Sequence, residues 1–496
     1  MSSSTGELGI MLKSICVIGG GLAGGILAST LAARGHSVSL VELGDVPAPF
    51  VPSNEEWDPA ALKMPFTRGS GLGGTSNFWH GGLTVLDRTD VEGASIHDGR
   101  IPAPITYSQI RKYYDQAMAL MRGKGSYSLD DIEAPLDNPI SGFSDTGDTF
   151  KLKALLYPNK PFSSLPLIRR AQELYGLQVV SNIEIRRLVT SGIRRVTYAE
   201  GIDLRSGNLK RFSADIFILS AGGLGSPKIL LHSTIDCPPL AQLPIGKFII
   251  DHPTGFVFKA KLRRRMTLKP LFGLARKDYK LRYGFSLKPD RLAKVDFRNH
   301  ILYLRPAISM KDPGTYDVLK RKLVTYKGRF LSPVDLVHLV QHTDLLFDAV
   351  NFKYGLSCST RYVSGLVFSE QFPEDGSEIL KMDNGKFRIK WSLSDRDRQS
   401  LEKFLAMFIE TYDEQFESVR IFHEIGSRLD SAGHHSGACR MAMNDSEGVV
   451  DGNLRVFGVD NLFIADGSVL AYQGHANTGL TIAALALKCC DAVTGH

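Results

Sequence analysis

The stretch KSICVIGGGLAGGILASTLAARGHSVSLVELG, residues 13–44, decides the fold of this protein. It reads as a short apolar strand, a glycine-rich turn, a helix and a second strand that ends at Glu42, which is the pattern of a βαβ unit. Gly19 permits the tight turn, Gly21 leaves room for a diphosphate, and Gly24 lets the helix lie close to the sheet. The helix N-terminus would stabilise the diphosphate, and Glu42 could accept hydrogen bonds from ribose hydroxyls. The stretch predicts a Rossmann-type dinucleotide site.

A second glycine cluster follows in RGSGLGGTSNFWHGG, residues 68–82, where the G-x-G-x-x-G spacing recurs from Gly69 to Gly74. It could mark a second dinucleotide site, or a loop that contacts the first cofactor from another side. Lys63 and Pro65 interrupt any buried strand before it, and the asparagine, aromatic residues and glycine pair after it make a poor helix. The pattern favours the second interpretation, a loop that wraps one bulky, planar, anionic cofactor.

Length and composition set the broad class. At 496 residues the chain is long enough for two or three domains, and 43% hydrophobic residues with 48 glycines are typical of a globular α/β protein. The net charge of +7 is a small excess that does not indicate nucleic acid binding. The six cysteines include no C-x-x-C pair, so no metal site is predicted and a reducing, cytoplasmic setting is expected. No secretory signal and no membrane span are expected.

Further motifs follow in order along the chain. After GSGLGGTSNFWHGG come ADIFILSAGGLGSPKILLHSTI (214–235), PIGKFIIDHP (244–253), HHSGACRM (434–441), GVVDGNLRVFGVDNLFIADGSVL (448–470) and HANTGLTIAALALKCCD (475–491). Together they resemble the glucose-methanol-choline (GMC) family of FAD-dependent oxidoreductases. The loop variant GGTSNFWHGG is closer to the pyranose oxidase and cholesterol oxidase branches of that family. Several motifs in one order are more specific than any one of them.

The resemblance implies an α/β protein with two domains. A Rossmann-type FAD-binding domain, discontinuous in sequence, would comprise residues 12–90, 165–255 and 430–496. Residues 91–164 and 256–429 would form a substrate domain built on an antiparallel sheet plus helices. Segments of alternating polarity such as FVFKAKL and KFRIKWSL fit such a sheet.

The cofactor implied by the resemblance is one FAD, held without a covalent bond. Some relatives attach FAD through a histidine of the second glycine loop, whereas this chain has Phe78 there and His80 two residues on as a candidate flavin neighbour. Ile185 would lie near the adenine. The other expected contacts with the cofactor are Gly19, Gly21, Gly24, Glu42, Gly73, Gly74, Thr75, Asn77, Ala221, Asp466, Gly467, Asn477 and Thr478.

Two polar side chains are the candidates for catalysis. Oxidation of an alcohol by a flavin needs a base for the hydroxyl proton, and histidine suits this role. In GHHSGACRM the family spacing selects His434 rather than His435. The second residue is expected to be Asn477, whose amide could hold the substrate oxygen without competing for its proton. His475, two residues earlier, is the alternative.

The predicted function is oxidation of an alcohol to an aldehyde or ketone by hydride transfer to flavin N5. The alcohol could be a sugar, a polyol, a sterol or a secondary metabolite, and the electron acceptor could be oxygen, a quinone or a redox protein. A weak docking patch for an acidic partner or a membrane surface is expected at the basic residues within 320–329. Two alternatives stay open: a flavoprotein reductase or monooxygenase with two dinucleotides, and a flavin-binding relative without catalysis.

Overall fold

The computed structural model describes residues 12–495, except 51, 59–67, 94–100, 135, 137–141, 144–148, 193, 312–331, 336, 338–342, 355, 357 and 423–424. The docking patch expected at 320–329 therefore lies outside the described residues.

The strands within the described residues are, in chain order, β1 (Ser14–Ile18), β2 (Ser37–Val41), β3 (Ala48–Pro49), β4 (Glu55–Trp57), β5 (Gly69–Ser70), β6 (Phe150–Pro158), β7 (Gln178–Val180), β8 (Ile183–Thr190), β9 (Val196–Asp203), β10 (Leu209–Ser213), β11 (Ile216–Leu219), β12 (Pro253–Met266), β13 (Leu274–Ala275), β14 (Tyr279–Leu287), β15 (Ile301–Ala307), β16 (Thr360–Phe368), β17 (Glu378–Lys381), β18 (Phe387–Lys390), β19 (Phe416–Ile421), β20 (Asp430–Ser431) and β21 (Leu462–Ile464).

The α-helices within the same residues are α1 (Leu22–Ala33), α2 (Arg88–Glu92), α3 (Tyr107–Arg122), α4 (Asp130–Glu133), α5 (Leu165–Tyr175), α6 (Gly225–Ser233), α7 (Lys269–Phe272), α8 (Pro289–Leu292), α9 (Thr343–Tyr354), α10 (Asp395–Thr411) and α11 (Gly479–Thr494).

A parallel sheet of five strands, in the order β21-β11-β1-β2-β7, contains the predicted βαβ unit. Its central strands, ICVI in β1 and IFIL in β11, are buried along their length, as expected of a parallel sheet covered on both faces. Helix α1 lies close to this sheet because Gly24 has no side chain. A Cβ atom at Gly24 would stand 1.8 Å from the carbonyl oxygen of Gly19. The predicted α/β fold is confirmed.

An antiparallel sheet forms the second large layer, in the order β13-β14-β15-β16-β12-β19, with β6 paired to β14 and β20 to β12. Residues alternate between its two faces. On one face, Phe150 and Phe285 pack against Phe404 and Phe408 of helix α10. The other face carries Lys153, Leu155 and Tyr157 from β6, of which Lys153 reaches Asp87.

Three smaller sheets complete the described part of the fold: β10-β9-β8, β17-β18-β4 and the pair β3-β5. Strand β4, from the first 90 residues, pairs in parallel with β18 of the hairpin near residue 385. Among the described residues no helix is long and apolar enough to cross a membrane. All six cysteines are free thiols.

Helix α9 covers one end of the antiparallel sheet through buried ion pairs. Lys259, Arg282 and Arg305 project from three strands and expose 0%, 2% and 6% of their surface. Asp344 of α9 binds Lys259, and Asp348 of α9 binds both arginines. Burying cations is costly unless each charge is paired, so the acidic residues of α9 hold this helix on the sheet.

Removing one charge from this group should therefore destabilise the protein. We expect Asp344→Asn to lower the free energy of unfolding by about 3–5 kcal/mol, because Lys259 is left buried without its carboxylate. The pair Lys403 and Asp296 is solvent-exposed, with 50% and 77% of each side chain accessible, so Asp296→Asn should cost only about 0–1 kcal/mol. Urea unfolding measures both, and equal losses would contradict the argument.

Candidate active site

The two glycine clusters lie against each other. The Gly73 N–H donates to the Gly20 carbonyl at 2.8 Å, and a Cβ atom on Gly74 would stand 2.8 Å from the Cα of Gly21. The second cluster forms the short strand β5 and a 3₁₀ turn, Gly74–Asn77, and not a second βαβ unit. Both clusters thus border one site.

Glu42 joins the two loops. Its buried carboxylate accepts backbone N–H bonds from Gly20 at 2.6 Å, from Gly44 at 3.2 Å and from Gly71 at 3.0 Å. Burial raises the pKa of Glu42, and these three hydrogen bonds oppose that shift. The structure gives Glu42 a role that the sequence did not indicate, and the expected contact with ribose stays a prediction.

Two helix N-termini border the same region without a side-chain cap. Gly21 precedes α1 and Thr478 precedes α11; neither makes a side-chain capping bond, and neither helix has an acidic residue in its first turn. A Cβ atom placed on Gly21 or Gly222 would have no protein atom within 4 Å. Uncapped N–H groups beside open space are suited to an anionic ligand.

The buried carboxylate of Asp466 holds the turn that follows strand β11. Its carboxylate accepts hydrogen bonds from Gly222 N–H at 3.0 Å, from the Ser226 hydroxyl at 2.5 Å and from Ser468 through both N–H and hydroxyl, at 2.9 and 2.6 Å. The Ala221 N–H donates to the same Ser226 hydroxyl at 3.1 Å. Burial raises the pKa of Asp466. The predicted residues Ala221 and Asp466 are therefore linked through the Ser226 hydroxyl, and Gly467 follows Asp466 directly in the same turn.

Four other residues that are expected to contact the cofactor lie outside these hydrogen-bond networks: Thr75, Asn77, His80 and Ile185. The Asn77 amide donates to the carbonyls of Leu72 and Gly74 at 3.0 and 3.1 Å, so it is engaged in holding its own loop. Thr75 and His80 are exposed. Ile185 is buried in strand β8. Their contacts with the cofactor stay predictions.

His434 is held by a histidine and an aspartate that are distant in sequence. His252 and His434 meet Nδ1 to Nδ1 at 2.8 Å, and the other ring nitrogen of His252 lies 2.9 Å from the Gly474 carbonyl. The His434 N–H donates to Asp251 Oδ1 at 2.9 Å. His435 turns its Nε2 to within 3.5 Å of Asp251 Oδ2.

The hydrogen-bond partners of His252 and His434 determine which nitrogen of each ring carries the proton. A carbonyl only accepts, so His252 Nε2 must donate to Gly474, and burial lowers the pKa of His252 and keeps the ring neutral. His252 Nδ1 is then an acceptor, and His434 Nδ1 must be the donor. In neutral His434 the lone pair consequently lies on Nε2, which gives this nitrogen the character of a base.

Asn477 and His475 are placed differently. Asn477 is half-buried, and its amide nitrogen would lie 3.1 Å from a Cβ atom on Gly82. His475 exposes 2% of its surface, and in the described residues neither of its ring nitrogens has a hydrogen-bond partner. Burial and then the charge of Lys153 lower the pKa of His475 well below its usual value, although Asp87 lies 4.0 Å away.

Asp251 and His252 were not recognised as site residues from the sequence. Both lie in the motif PIGKFIIDHP (244–253), which carries the family resemblance but gives neither residue a role. The signal that could have identified them is an acid and a histidine inside the apolar run FIIDHP, where both must be buried and therefore partnered. Gln473 was also missed; its amide donates to the His434 carbonyl.

Comparison with known proteins supports the family resemblance. Residues 380–486 match the family model described as GMC oxidoreductase. Over this segment the chain is similar to the GMC oxidoreductases. It is 23% identical over 317 residues to 2-methyl-1,2-propanediol dehydrogenase of Mycolicibacterium austroafricanum, covering 60% of this chain and 51% of that protein. With choline oxidase of Arthrobacter globiformis it shares 22% over 346 residues, covering 67% and 58%. The chain spans about half the length of such curated relatives.

Solved structures share the fold. Pyridoxine 4-oxidase from Mesorbium loti aligns over 97% of this chain and 99% of its own, with a TM-score of 0.55 and 16% identity. A fungal aryl-alcohol oxidase aligns over 97% and 98%, with a TM-score of 0.58 and 14% identity. The family resemblance implies FAD, and the uncapped helix N-termini at Gly21 and Thr478 would suit the anionic groups of that cofactor.

The open space at Gly21 gives a direct test of the cofactor site. The backbone of Gly21, with φ −73°, suits alanine, so Gly21→Ala should fold normally. Its methyl group would meet the FAD diphosphate, and FAD binding should weaken by about 1–3 kcal/mol, the usual cost of overpacking. Gly376→Ala is the matched control, since its Cβ also meets no protein atom within 4 Å. Unchanged FAD affinity of the Gly21 variant would place the cofactor elsewhere.

Proposed function

We propose that the protein oxidises an alcohol with FAD, converting a CH–OH group to an aldehyde or ketone. One observation carries the proposal: neutral, buried His252 directs His434 Nδ1–H inwards and thereby makes His434 Nε2 the basic nitrogen. When bound, FAD supplies the acceptor for the hydride. The C–H bond gives up both electrons with the hydride, the hydroxyl proton passes to His434, and a C=O bond forms.

The roles of the protein residues follow from their contacts. Asp251 holds the backbone of His434, and His252 holds its ring, so the base is oriented before substrate binds. The half-exposed amide of Asn477 would donate to the substrate oxygen and stabilise the negative charge that develops there as the proton leaves. The uncapped N-terminus of α11 would stabilise negative charge on the flavin.

The attachment of the cofactor and the domain boundaries are part of the same proposal. Phe78 in the second loop supports a non-covalent FAD. The FAD-binding domain would comprise residues 12–90, 165–255 and 430–496, with the substrate domain formed by the rest. Unpaired cysteines support a reducing compartment. In the described residues of the second glycine cluster, a 3₁₀ turn stands where a βαβ unit would need an α-helix, and this disfavours an enzyme with two dinucleotides.

The assignment of His434 as the base can be tested by comparing its substitution with that of the adjacent His435. His434→Ala should lower the rate of anaerobic flavin reduction by ~10²–10⁴-fold, the usual contribution of a positioned base, with FAD content near normal. His435→Ala is the matched control, because His435 faces Asp251, and its effect should be much smaller. The reverse order of the two rates, measured by stopped-flow absorbance with a reactive alcohol, would show that His435 is the base.

The role of Asn477 is tested against His475. Asn477→Ala should slow flavin reduction by roughly 10²–10³-fold through loss of one aligned donor, while His475→Ala should cost far less. Burial lowers the pKa of both His475 and His252, so both stay neutral, and the reduction rate should rise with pH through a single ionisation. Two coupled ionisations, or a severe defect confined to His475→Ala, would make His475 the partner.

A further inference from the structure

Gln473 is a buried residue that contacts the segment carrying the candidate base. It exposes 1% of its surface. Its amide donates hydrogen bonds to the His434 carbonyl and to the Ser436 hydroxyl. Because a carbonyl group only accepts, the amide nitrogen rather than the amide oxygen must face His434. The side chain of Gln473 therefore holds residues 434–436 in place.

The backbone of Gln473 belongs to the turn that leads to Asn477. The Gln473 carbonyl accepts the N–H of Ala476 at 3.2 Å, which closes a four-residue turn over residues 473–476. Asn477 follows this turn directly in the chain. The same residue is thus bonded through its side chain to the segment of the base and through its backbone to the segment of the amide.

Gly474 fixes the orientation of this turn. Its carbonyl lies 2.9 Å from His252 Nε2, and its N–H donates to Glu370 Oε1 at 3.2 Å. Gly474 has a φ of +53°, and a Cβ atom there would lie 2.2 Å from Asp90 Oδ2, so this close packing requires glycine. The two bonded backbone groups and the packing against Asp90 make the turn rigid. The turn therefore shifts as a unit, and its end follows any displacement of its start.

We propose that Gln473 is a positioning residue that sets the distance between His434 and Asn477. The inference rests on the proposed function, in which one alcohol must meet both residues. The hydroxyl proton passes to His434 Nε2 while the alcohol oxygen accepts a hydrogen bond from the Asn477 amide, and both contacts need hydrogen-bond distances at the same time. Gln473 takes no part in the chemistry and acts through the two residues that it aligns.

Replacing the amide of Gln473 tests this role on the FAD-loaded enzyme. Gln473→Met retains a flexible side chain of similar length but removes the hydrogen-bond donor. We expect the limiting rate of anaerobic flavin reduction at saturating alcohol to fall about 10–100-fold, because a displacement of about 1 Å can cost a factor of about 100. The alcohol concentration that gives half of the limiting rate should change much less. A limiting rate equal to that of the wild type, with normal FAD content, would overturn the inference.

Ser436→Ala is a milder variant in case Gln473→Met does not fold. It removes one of the two acceptors of the Gln473 amide and leaves the glutamine in place. The limiting rate should fall roughly 2–10-fold, the equivalent of one hydrogen bond. In that case an unchanged rate in folded, FAD-loaded Ser436→Ala would overturn the inference.

A double-mutant cycle distinguishes alignment from a general loss of structure. Once Asn477→Ala has removed the amide, no partner remains for Gln473 to align with the base. Gln473→Met should then slow flavin reduction by a factor at least about threefold smaller than in the wild-type background. The same factor in both backgrounds would show that the two residues act independently, which contradicts the positioning role.

Thr360→Val is the matched control for the loss of a buried hydrogen-bonding group. The Thr360 hydroxyl donates to the Ala307 carbonyl at 2.7 Å and accepts the Tyr362 N–H at 3.0 Å, and Thr360 is 4% exposed. Thr360 begins strand β16, whose other end leads to Glu370. Thr360→Val should lower the melting temperature without slowing flavin reduction. A loss of rate like that of Gln473→Met would show that any such defect slows the enzyme, and the inference would fail.

Crystal structures of the wild type and of Gln473→Met separate this inference from the proposed function, because they need no turnover. The distance from His434 Nε2 to the Asn477 amide nitrogen should change by more than about 0.5 Å, the tolerance of a productive site. If this distance changes but no alcohol reduces the flavin of the wild type, the proposed function fails and the positioning role stands. If the distance is unchanged, the positioning role is overturned, whether or not alcohols reduce the flavin.

Discussion

The geometry of the candidate site depends on one buried carboxylate, that of Asp251. It accepts hydrogen bonds from the N–H groups of His252 and His434, at 2.6 and 2.9 Å, and from the Ser431 hydroxyl at 2.5 Å. Burial alone would raise the pKa of Asp251, but the nearby histidines, above all His435, and these hydrogen bonds lower it, so the group stays ionised. An ionised carboxylate with no exposure must be fully hydrogen-bonded, and this requirement ties residues 251–252 to residues 431–435.

A second buried carboxyl group, that of Glu42, holds the two glycine clusters together by hydrogen bonds. Glu42 holds N–H groups from both glycine clusters, and close approach between the clusters is possible only because Gly21 and Gly74 lack side chains. Glycine loops lose much conformational freedom when they are ordered, so a buried carboxyl group that accepts N–H bonds from Gly20 and Gly71, one in each cluster, offsets part of that cost. The site is thus shaped by fixed backbone donors around two buried acids.

The local parts of this arrangement could be predicted from the sequence, whereas its long-range contacts could not. The βαβ unit follows from apolar runs, glycine spacing and the acid at Glu42, all within some 30 residues of one another. The contact between His252 and His434 joins positions 182 residues apart, and the bond from Gly71 N–H to Glu42 joins two separate glycine loops. Such contacts are set by strand register and by the need to partner buried polar groups, which periodicity in one segment does not encode.

The choice of a neutral imidazole behind His434 has a consequence for catalysis. A carboxylate at the position of His252 would stabilise the protonated ring before any substrate arrived and would leave less of the free base. Neutral His252 accepts the Nδ1 hydrogen and so fixes the tautomer and the ring orientation without a formal charge. The full negative charge sits one residue away on Asp251, which grips the backbone of His434 rather than its ring. The orientation of the His434 ring and the formal negative charge beside its backbone are therefore supplied by different residues, His252 and Asp251.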